Sequence, residues 1–389
     1  MPDYSFKLYC GLPGAGLGQI LGRTGHGDAK QWFEGRRIYY VHKTRVAIRW
    51  TCKLIGLRDG AEVLAPSYNC GSEIDPLLKS GASVVLYRID RQGQVDMGDL
   101  RRRITNKTKV VYVTHYFGFP QPTAEIKALC EGKDIYVIED CALSLFSRDK
   151  GIILGTISDI SVFNFPKSLP VPDGGAMMIN NSCFVAGDAD LCKIPITKIS
   201  RQLLSLLKRH VLHGMSSSNS LCRLLAFKLG KKRSSGGRGQ VHNSFPDMPS
   251  SYYYDEKLSD KAVSIITRRM FESFNVSEIV ERHRNNFKRY LNLLSNCELI
   301  RPLFTELPAG ICPLYFPVIV KNRDVLCRRL NEQAIAAIPW WAGYHQGLPW
   351  MEYPDACFLK DNLMALPVHQ QLKSKHIEYV AKTLIASIN

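Results

Sequence analysis

The order of apolar and polar positions divides the first half of the chain into short blocks whose period keeps switching. From Arg45 to Leu57 (RVAIRWTCKLIGL) the apolar positions Val46, Ile48, Cys52, Leu54 and Ile55 fall at helical spacing, and Arg58-Asp-Gly60 ends the run. Residues 61–66 (AEVLAP) then read as a strand, 71–82 (GSEIDPLLKSGA) as a helix and 83–87 as a strand. Residues 110–114 form another apolar strand entering His115-Tyr116-Phe117-Gly118. A helix over 124–131 follows, then a strand over 135–138 that ends on Glu139-Asp140, and a further strand-like run over 160–165. Strands alternating with helices at these lengths predict a parallel sheet covered on both faces, with ligands received beyond the carboxyl ends of the strands. Tyr68, His115, Asp140 and Lys167 all lie just past expected strand ends, so the pattern sends them to one edge.

The second half is organised differently. Helical spacing covers 257–273 and 276–294, and 314–320 (LYFPVIV) reads as a strand. A helix over 324–333, the aromatic loop WWAGYHQGLPW and a closing helix over 373–385 complete it. Helix and strand without strict alternation predict a smaller α+β domain. The division expected is a large domain over 1–250 and a small one over 251–389.

Composition alters this picture in one place. The chain of 389 residues carries a net charge of +16, and the segment 191–246 has eleven Lys or Arg and no Asp or Glu. It reads as an insertion with an amphipathic start (Ile199, Leu203, Leu206, Leu207, Val211) followed by flexible loops. Such a segment is expected either to be solvated or to meet an anionic membrane. No base-reading motif accompanies it, so nucleic acid is not expected. The twelve cysteines show no C-x-x-C pair and no Cys/His ligand spacing, which reads as reduced thiols without a metal site. The absence of a long apolar run and of a signal-peptide core predicts a cytoplasmic protein, with peripheral contact at the inner membrane face as the reading of the basic segment. The glycine-rich run Gly11 to Gly18 lacks the G-K-[ST] of a nucleotide loop.

Chemistry concentrates in 159–175, DISVFNFPKSLPVPDGG. A strand-like run delivers Lys167 into a loop that Pro166, Pro170 and Pro172 keep from being helical, with Gly174-Gly175 permitting tight turns. A lysine so held is a candidate imine-forming nucleophile, and a solvated loop lysine is the alternative. A strand-end carboxylate, Asp140, suits the partner of a protonated pyridine nitrogen if the aldehyde is pyridoxal phosphate; a helix N-cap is its alternative.

These strings, G-L-R-D-G-A-E-V-L-A-P-S-Y, V-T-H-Y-F-G-F-P, V-I-E-D-C-A, K-S-L-P-V-P-D-G-G and the closing L-P-V-H-Q-Q-L, resemble the DegT/DnrJ/StrS family of pyridoxal-phosphate-dependent sugar aminotransferases. The resemblance implies a three-layer α/β/α fold with a mostly parallel sheet (fold type I) plus a smaller C-terminal α+β part. It also implies a homodimer, Lys167 as the lysine that bonds the cofactor and Asp140 as the partner of its ring nitrogen. Thr44 and Arg45 stand at the helix start that cradles the phosphate, with Ser161 or Asn164 as further contacts. Several positions depart from the family pattern: Leu143 replaces a glutamine, Cys70 replaces a ring-stacking aromatic for which Tyr68 or His115 would substitute, and Asp255 replaces an asparagine. His345 and the Trp340-Trp341 pair, Trp341 above all, are expected at the sugar pocket, with core packing as the alternative for the tryptophans. The activity expected is transfer of an amino group, from glutamate, to a nucleotide-linked keto-sugar in polysaccharide or secondary-metabolite biosynthesis. A non-catalytic scaffold and a sugar dehydratase are the alternatives; Lys167 speaks against the dehydratase, since the family's dehydratases carry histidine there.

Overall fold

A computed structural model describes residues 12–22, 27–185, 191–214, 245–333 and 335–388. In chain order the first part contains β1 (Arg37–Val41), α1 (Thr44–Ile55), β2 (Glu62–Pro66), α2 (Gly71–Leu78), β3 (Ser83–Tyr87), α3 (Met97–Arg103), β4 (Thr108–Thr114), α4 (Thr123–Cys130), β5 (Tyr136–Cys141), β6 (Ile160–Asn164) and β7 (Gly175–Ile179). After the basic helix α5 (Ile196–Gly214) come α6 (Ile265–Glu272), α7 (Val276–Leu294), β8 (Arg301–Pro302), β9 (Tyr315–Ile319), α8 (Arg323–Glu332), β10 (Ile338–Pro339), α9 (Pro354–Asn362), β11 (Leu363–Pro367) and α10 (Ser374–Ile388).

The seven strands β1 to β7 form one sheet in the order β1-β7-β6-β5-β4-β2-β3. β3, β2, β4, β5 and β6 run parallel, and β7 runs antiparallel to both β6 and β1. β4, β5 and β6 are buried along nearly their whole length, as strands covered on both faces must be, and for that reason they read as apolar runs. A second, antiparallel sheet has the order β8-β9-β11-β10. The fold is that of a fold type I α/β/α protein with a smaller C-terminal α+β part. α1 buries Thr44, Val46, Ala47, Ile48, Thr51 and Cys52, so three of its five expected apolar positions are the buried ones.

One expectation is corrected by the packing. The helix expected over 257–273 exists only as α6. Lys261 and Ala262 instead form bridges to Cys192 and Val41, and the Ser264 hydroxyl caps α6 by accepting from Thr267 N. Of the apolar positions expected at the start of α5, Ile199 and Leu206 are fully buried, Leu203 and Leu207 are half-buried, and the Leu206 carbonyl accepts from Ala15 N at 3.3 Å. Residues 215–244 of the basic segment lie outside the described residues. Among the described residues no helix is long and apolar enough to cross a membrane.

Candidate active site

Lys167 stands three residues beyond β6, half-buried, at the edge where the parallel strands end. Its placement follows from a continuous hydrogen-bonded chain. Lys167 N donates to Asn164 Oδ1 at 3.0 Å, Asn164 Nδ2 donates to Thr44 Oγ1 at 2.9 Å, and Thr44 Oγ1 donates to the Phe163 carbonyl at 3.0 Å. The lysine loop is thereby fastened to the first residue of α1. A second clamp acts from the other end of the loop. Asp173 is buried, takes His42 Nδ1 at 2.9 Å, and accepts from Ser264 N and from the hydroxyls of Ser264 and Thr267. Gly174 N donates to the His42 carbonyl at 2.8 Å. A Cβ on Gly175 would lie 2.7 Å from Thr44 N, so β7 passes the start of α1 at backbone contact. Within Lys167 the backbone is committed, whereas Nζ has no partner among the described residues.

Asp140 lies in β5, the parallel neighbour of β6, in register with Val162 on one side and Thr114 on the other. It is 3% exposed; its Oδ2 accepts from Tyr112 OH at 2.8 Å and its Oδ1 from Ala142 N at 2.7 Å. Thr114, whose side chain shares Asp140's face, has its Oγ1 buried without a partner among the described residues. The Glu73 carboxyl, 4% exposed in the first turn of α2, accepts from Cys70 N at 3.0 Å. Burial first, and then the Asp140 charge, hold Glu73 well above the usual carboxylate range.

The other expected residues are placed differently. His115 is fully buried on the opposite face of the sheet, with Glu139: Gln121 N donates to its Nδ1 at 3.0 Å, so Nε2 carries the proton and donates to Glu139 Oε1 at 2.9 Å. It is a core hydrogen-bonding residue, not a ring-stacking one. The Arg45 guanidinium turns away from the start of α1 and donates to the carbonyls of Ser251 and Tyr253, which leaves only its backbone N–H for an anion. Tyr68 is 1% exposed and closed in by Tyr116 and Trp341, with ring centroids 5.5 and 5.3 Å away. Trp341 belongs to that cluster. The ring of His345 packs against Tyr253 while its Nε2 faces Asp75 at 3.5 Å, so both expected pocket residues are buried side chains. Ser161 is excluded from the edge by its hydroxyl bond to the Gly155 carbonyl. Thr44, Asn164 and Lys167 are therefore joined directly, and Asp140 stands on the adjacent strand.

Comparison with known proteins fits this geometry. Residues 41–193, which contain the start of α1, Asp140 and Lys167, match the sequence profile of the DegT/DnrJ/EryC1/StrS aminotransferase family. Over this part the chain is similar to that family. It is 31% identical over 144 residues to a GDP-perosamine synthase of Escherichia coli O157:H7, a match covering 36% of this chain and 40% of that protein. The match to the GDP-perosamine synthase of Vibrio cholerae likewise covers 39% of that protein, so the chain spans about two-fifths of the length of these relatives. It is 27% identical over 347 residues to a UDP-N-acetyl-3-dehydro-alpha-D-glucosamine 3-aminotransferase of Acidithiobacillus ferrooxidans, covering 87% of this chain and 80% of that one. A Streptococcus pneumoniae protein described as a sugar aminotransferase, solved in its PMP-form, shares the fold with a TM-score of 0.68 at 16% identity, over 97% of this chain and 98% of that one.

The residues present fit the cofactor this family name brings with it. An amine and a hydroxyl that have no partner among the described residues, a buried carboxylate and a helix start without a side-chain cap are brought to one edge of one sheet. Three contributors were not singled out from the sequence. Glu73, in G-S-E-I-D, reads as an ordinary helix-cap acid, and Thr114 as a strand residue. Lys360, in α9, reads as a surface lysine, yet it is 0% exposed and donates to the carbonyls of Asn69, Trp341 and Gly343 at 2.9, 3.0 and 2.9 Å. Burial pulls its ammonium down to about 8. No local pattern marks a buried lysine of this kind.

Proposed function

We propose that the protein is a pyridoxal-phosphate-dependent aminotransferase that moves an amino group from glutamate to a nucleotide-linked keto-sugar, acting as a homodimer. The observation that carries this reading is the joining of Lys167 to the start of α1 through Asn164 and Thr44, with Asp140 at the end of the neighbouring strand. Pyridoxal phosphate supplies an aldehyde that an amine captures and a ring that accepts electrons from the carbon next to that nitrogen.

Each residue then has a task its surroundings explain. Lys167 Nζ would hold the aldehyde carbon and would serve as the group that takes up and returns a proton beside it; it is suited to both because its backbone is fixed and its amine is unengaged among the described residues. Asp140 would hold a proton on the ring nitrogen, since a buried carboxylate acts strongly where water is excluded. The backbone N–H groups at the start of α1 hold the phosphate, a role favoured by the positive end of the helix and by the close pass of Gly175. The keto-sugar reading is supported by the names of the relatives, both of which act at nucleotide-linked sugars.

The test is chemical. Purified protein mixed with pyridoxal phosphate should develop a visible absorption band, and borohydride should fix the cofactor to the peptide that contains Lys167. Label on any other lysine overturns the assignment.

A further inference from the structure

Ser168, next to the candidate lysine, is buried, and its carbonyl is reached from the far end of the chain. Gln370, in the turn between β11 and α10, donates from Nε2 to that carbonyl at 3.3 Å. Its Oε1 lies 2.9 Å from His283 Nε2 in α7, and His283 Nδ1 lies 2.8 Å from the Pro313 carbonyl. One line of contacts thus runs from Pro313 through a fully buried ring and a half-buried amide to Ser168. Lys167 N donates to Asn164 Oδ1 and Ser168 N to the Phe165 carbonyl, so Gln370 adds a brace from 202 positions away to bonds made within the turn itself.

The line needs more hydrogens than its neutral groups hold. Both terminal carbonyls accept, so three contacts call for three hydrogens. The amide puts one into the line whichever way it is turned, and a neutral ring puts in one more. One contact then sets two acceptors face to face: at Pro313 or at Gln370, depending on the tautomer, or at Ser168 if the amide is reversed. The ring protonated on both nitrogens satisfies all three. Burial resists that charge and pulls the ring below its ordinary 6.5, while both hydrogen bonds favour it. The titratable groups nearest in the chain to the members of the line are Arg282, Arg284, Cys312, His369 and Lys167, and none of them acts on the charge of the ring.

We propose that Gln370 is a positioning residue for Lys167: His283 sets the direction of its amide, the amide holds the Ser168 carbonyl, and the hold is complete when both ring nitrogens carry protons. The work given to Lys167 Nζ rests on the aminotransferase reading, whereas the hold on Ser168 does not.

Amide hydrogen exchange of the cofactor-free protein, read by mass spectrometry on the peptide over 165–173, tests this. The amides of Lys167, Ser168, Leu169 and Val171 are all hydrogen-bonded within 164–171, so their protection reports the opening of this turn. Gln370→Leu removes the amide, and Gln370→Glu keeps an acceptor for His283 but has no N–H for Ser168. Both should speed exchange there by about 2- to 10-fold, the worth of one hydrogen bond, and leave peptides of β4 and β5 unchanged. Unchanged exchange over 165–173, or an equal rise throughout the chain, overturns the proposal.

The pH dependence separates the hold from mere burial. The unfolded chain takes up the second ring proton near 6.5 and the folded chain at lower pH, so stability from this group is full above 6.5 and is lost as pH falls toward the folded-state titration. A histidine that was only buried would therefore loosen the protein in acid. The hold predicts the opposite for this one turn: protection of 165–173 in wild type, relative to the free peptide, should rise from about pH 7.5 to about 5, and in neither variant. A flat or falling wild-type profile overturns the proposal, and this arm needs no variant to fold. Addition of pyridoxal phosphate to the same samples, followed by absorbance, separates the two readings. A localised change in exchange with no visible band keeps the hold and loses the aminotransferase assignment; a band without the localised change does the reverse.

Discussion

Lys167 and Asp140 make opposite demands on their surroundings, and variants of each should fail in different ways. On the aminotransferase reading, Lys167→Ala would remove both the amine proposed to bond the aldehyde and the group proposed to move the proton. Turnover with glutamate and a keto-sugar should fall by on the order of 10³-fold or more, while the circular dichroism spectrum stays unchanged, because no fold contact uses Nζ. Asp140→Asn keeps the shape and can still accept from Tyr112 OH or Ala142 N. What it loses is the buried charge, so turnover should drop on the order of 10²–10³-fold, as removal of one preorganised electrostatic partner does elsewhere. The bound cofactor's absorption should also change its pH profile. Retention of near-normal turnover would reduce Asp140 to a turn residue that receives Ala142 N–H.

At the level of elements, the site depends on β7 and α1 approaching to backbone contact. Gly175→Ala places a methyl group 2.7 Å from Thr44 N and 2.9 Å from the Phe163 carbonyl, neither of which is a side chain that can swing away. Stability should fall by about 1–3 kcal/mol. Affinity for pyridoxal phosphate, followed by absorbance titration, should fall with it as the start of α1 is pushed aside; an unchanged dissociation constant would remove that helix start from the cofactor site. This is also the level at which the sequence becomes hard to read. The parallel strands were legible because burial on both faces turns them into apolar runs. The loop chemistry of Lys167 was legible because proline and glycine state their backbone demands openly. β1 and β7 were not read as strands, since Arg37–Val41 mixes a charged residue with half-buried aromatics and Gly175–Ile179 opens on glycine. His115 shows the sharper limit. It follows a strand in a recognisable string, but the face it occupies is set by parity: Glu139 and Asp140 are adjacent, point to opposite sides, and His115 falls on the Glu139 side. The lysine's hydrogen-bonded chain through Asn164 to Thr44 joins residues 120 positions apart, which no local period records.

Over the whole molecule, one side chain ties the two sheets together. Lys360, reached from α9, binds the carbonyl that follows β2 at Asn69 and two carbonyls of the loop after β10, at Trp341 and Gly343. Lys360→Met preserves the length and leaves these carbonyls unsatisfied, at roughly 1–3 kcal/mol for each that water does not reach. The comparison is pH-dependent. The ammonium titrates at about 8 in the fold against 10.5 ordinarily, so the unfolded chain binds more protons in between, and stability of the wild type relative to Lys360→Met should rise from pH 8 to 10.5. Thermal unfolding of both proteins across that range checks the sign. A lysine that joins segments some 270 to 290 residues apart also has a place in time. Its bond to the Asn69 carbonyl forms only after both sheets exist and have met, whereas those to Trp341 and Gly343 close within the C-terminal part, so the long-range bond is expected to form after the transition state. Stopped-flow measurement of Lys360→Met should then find refolding at nearly the wild-type speed and unfolding faster by most of the lost stability. The lysine would act as a latch, giving the finished molecule its lifetime while leaving the pace of its assembly unchanged.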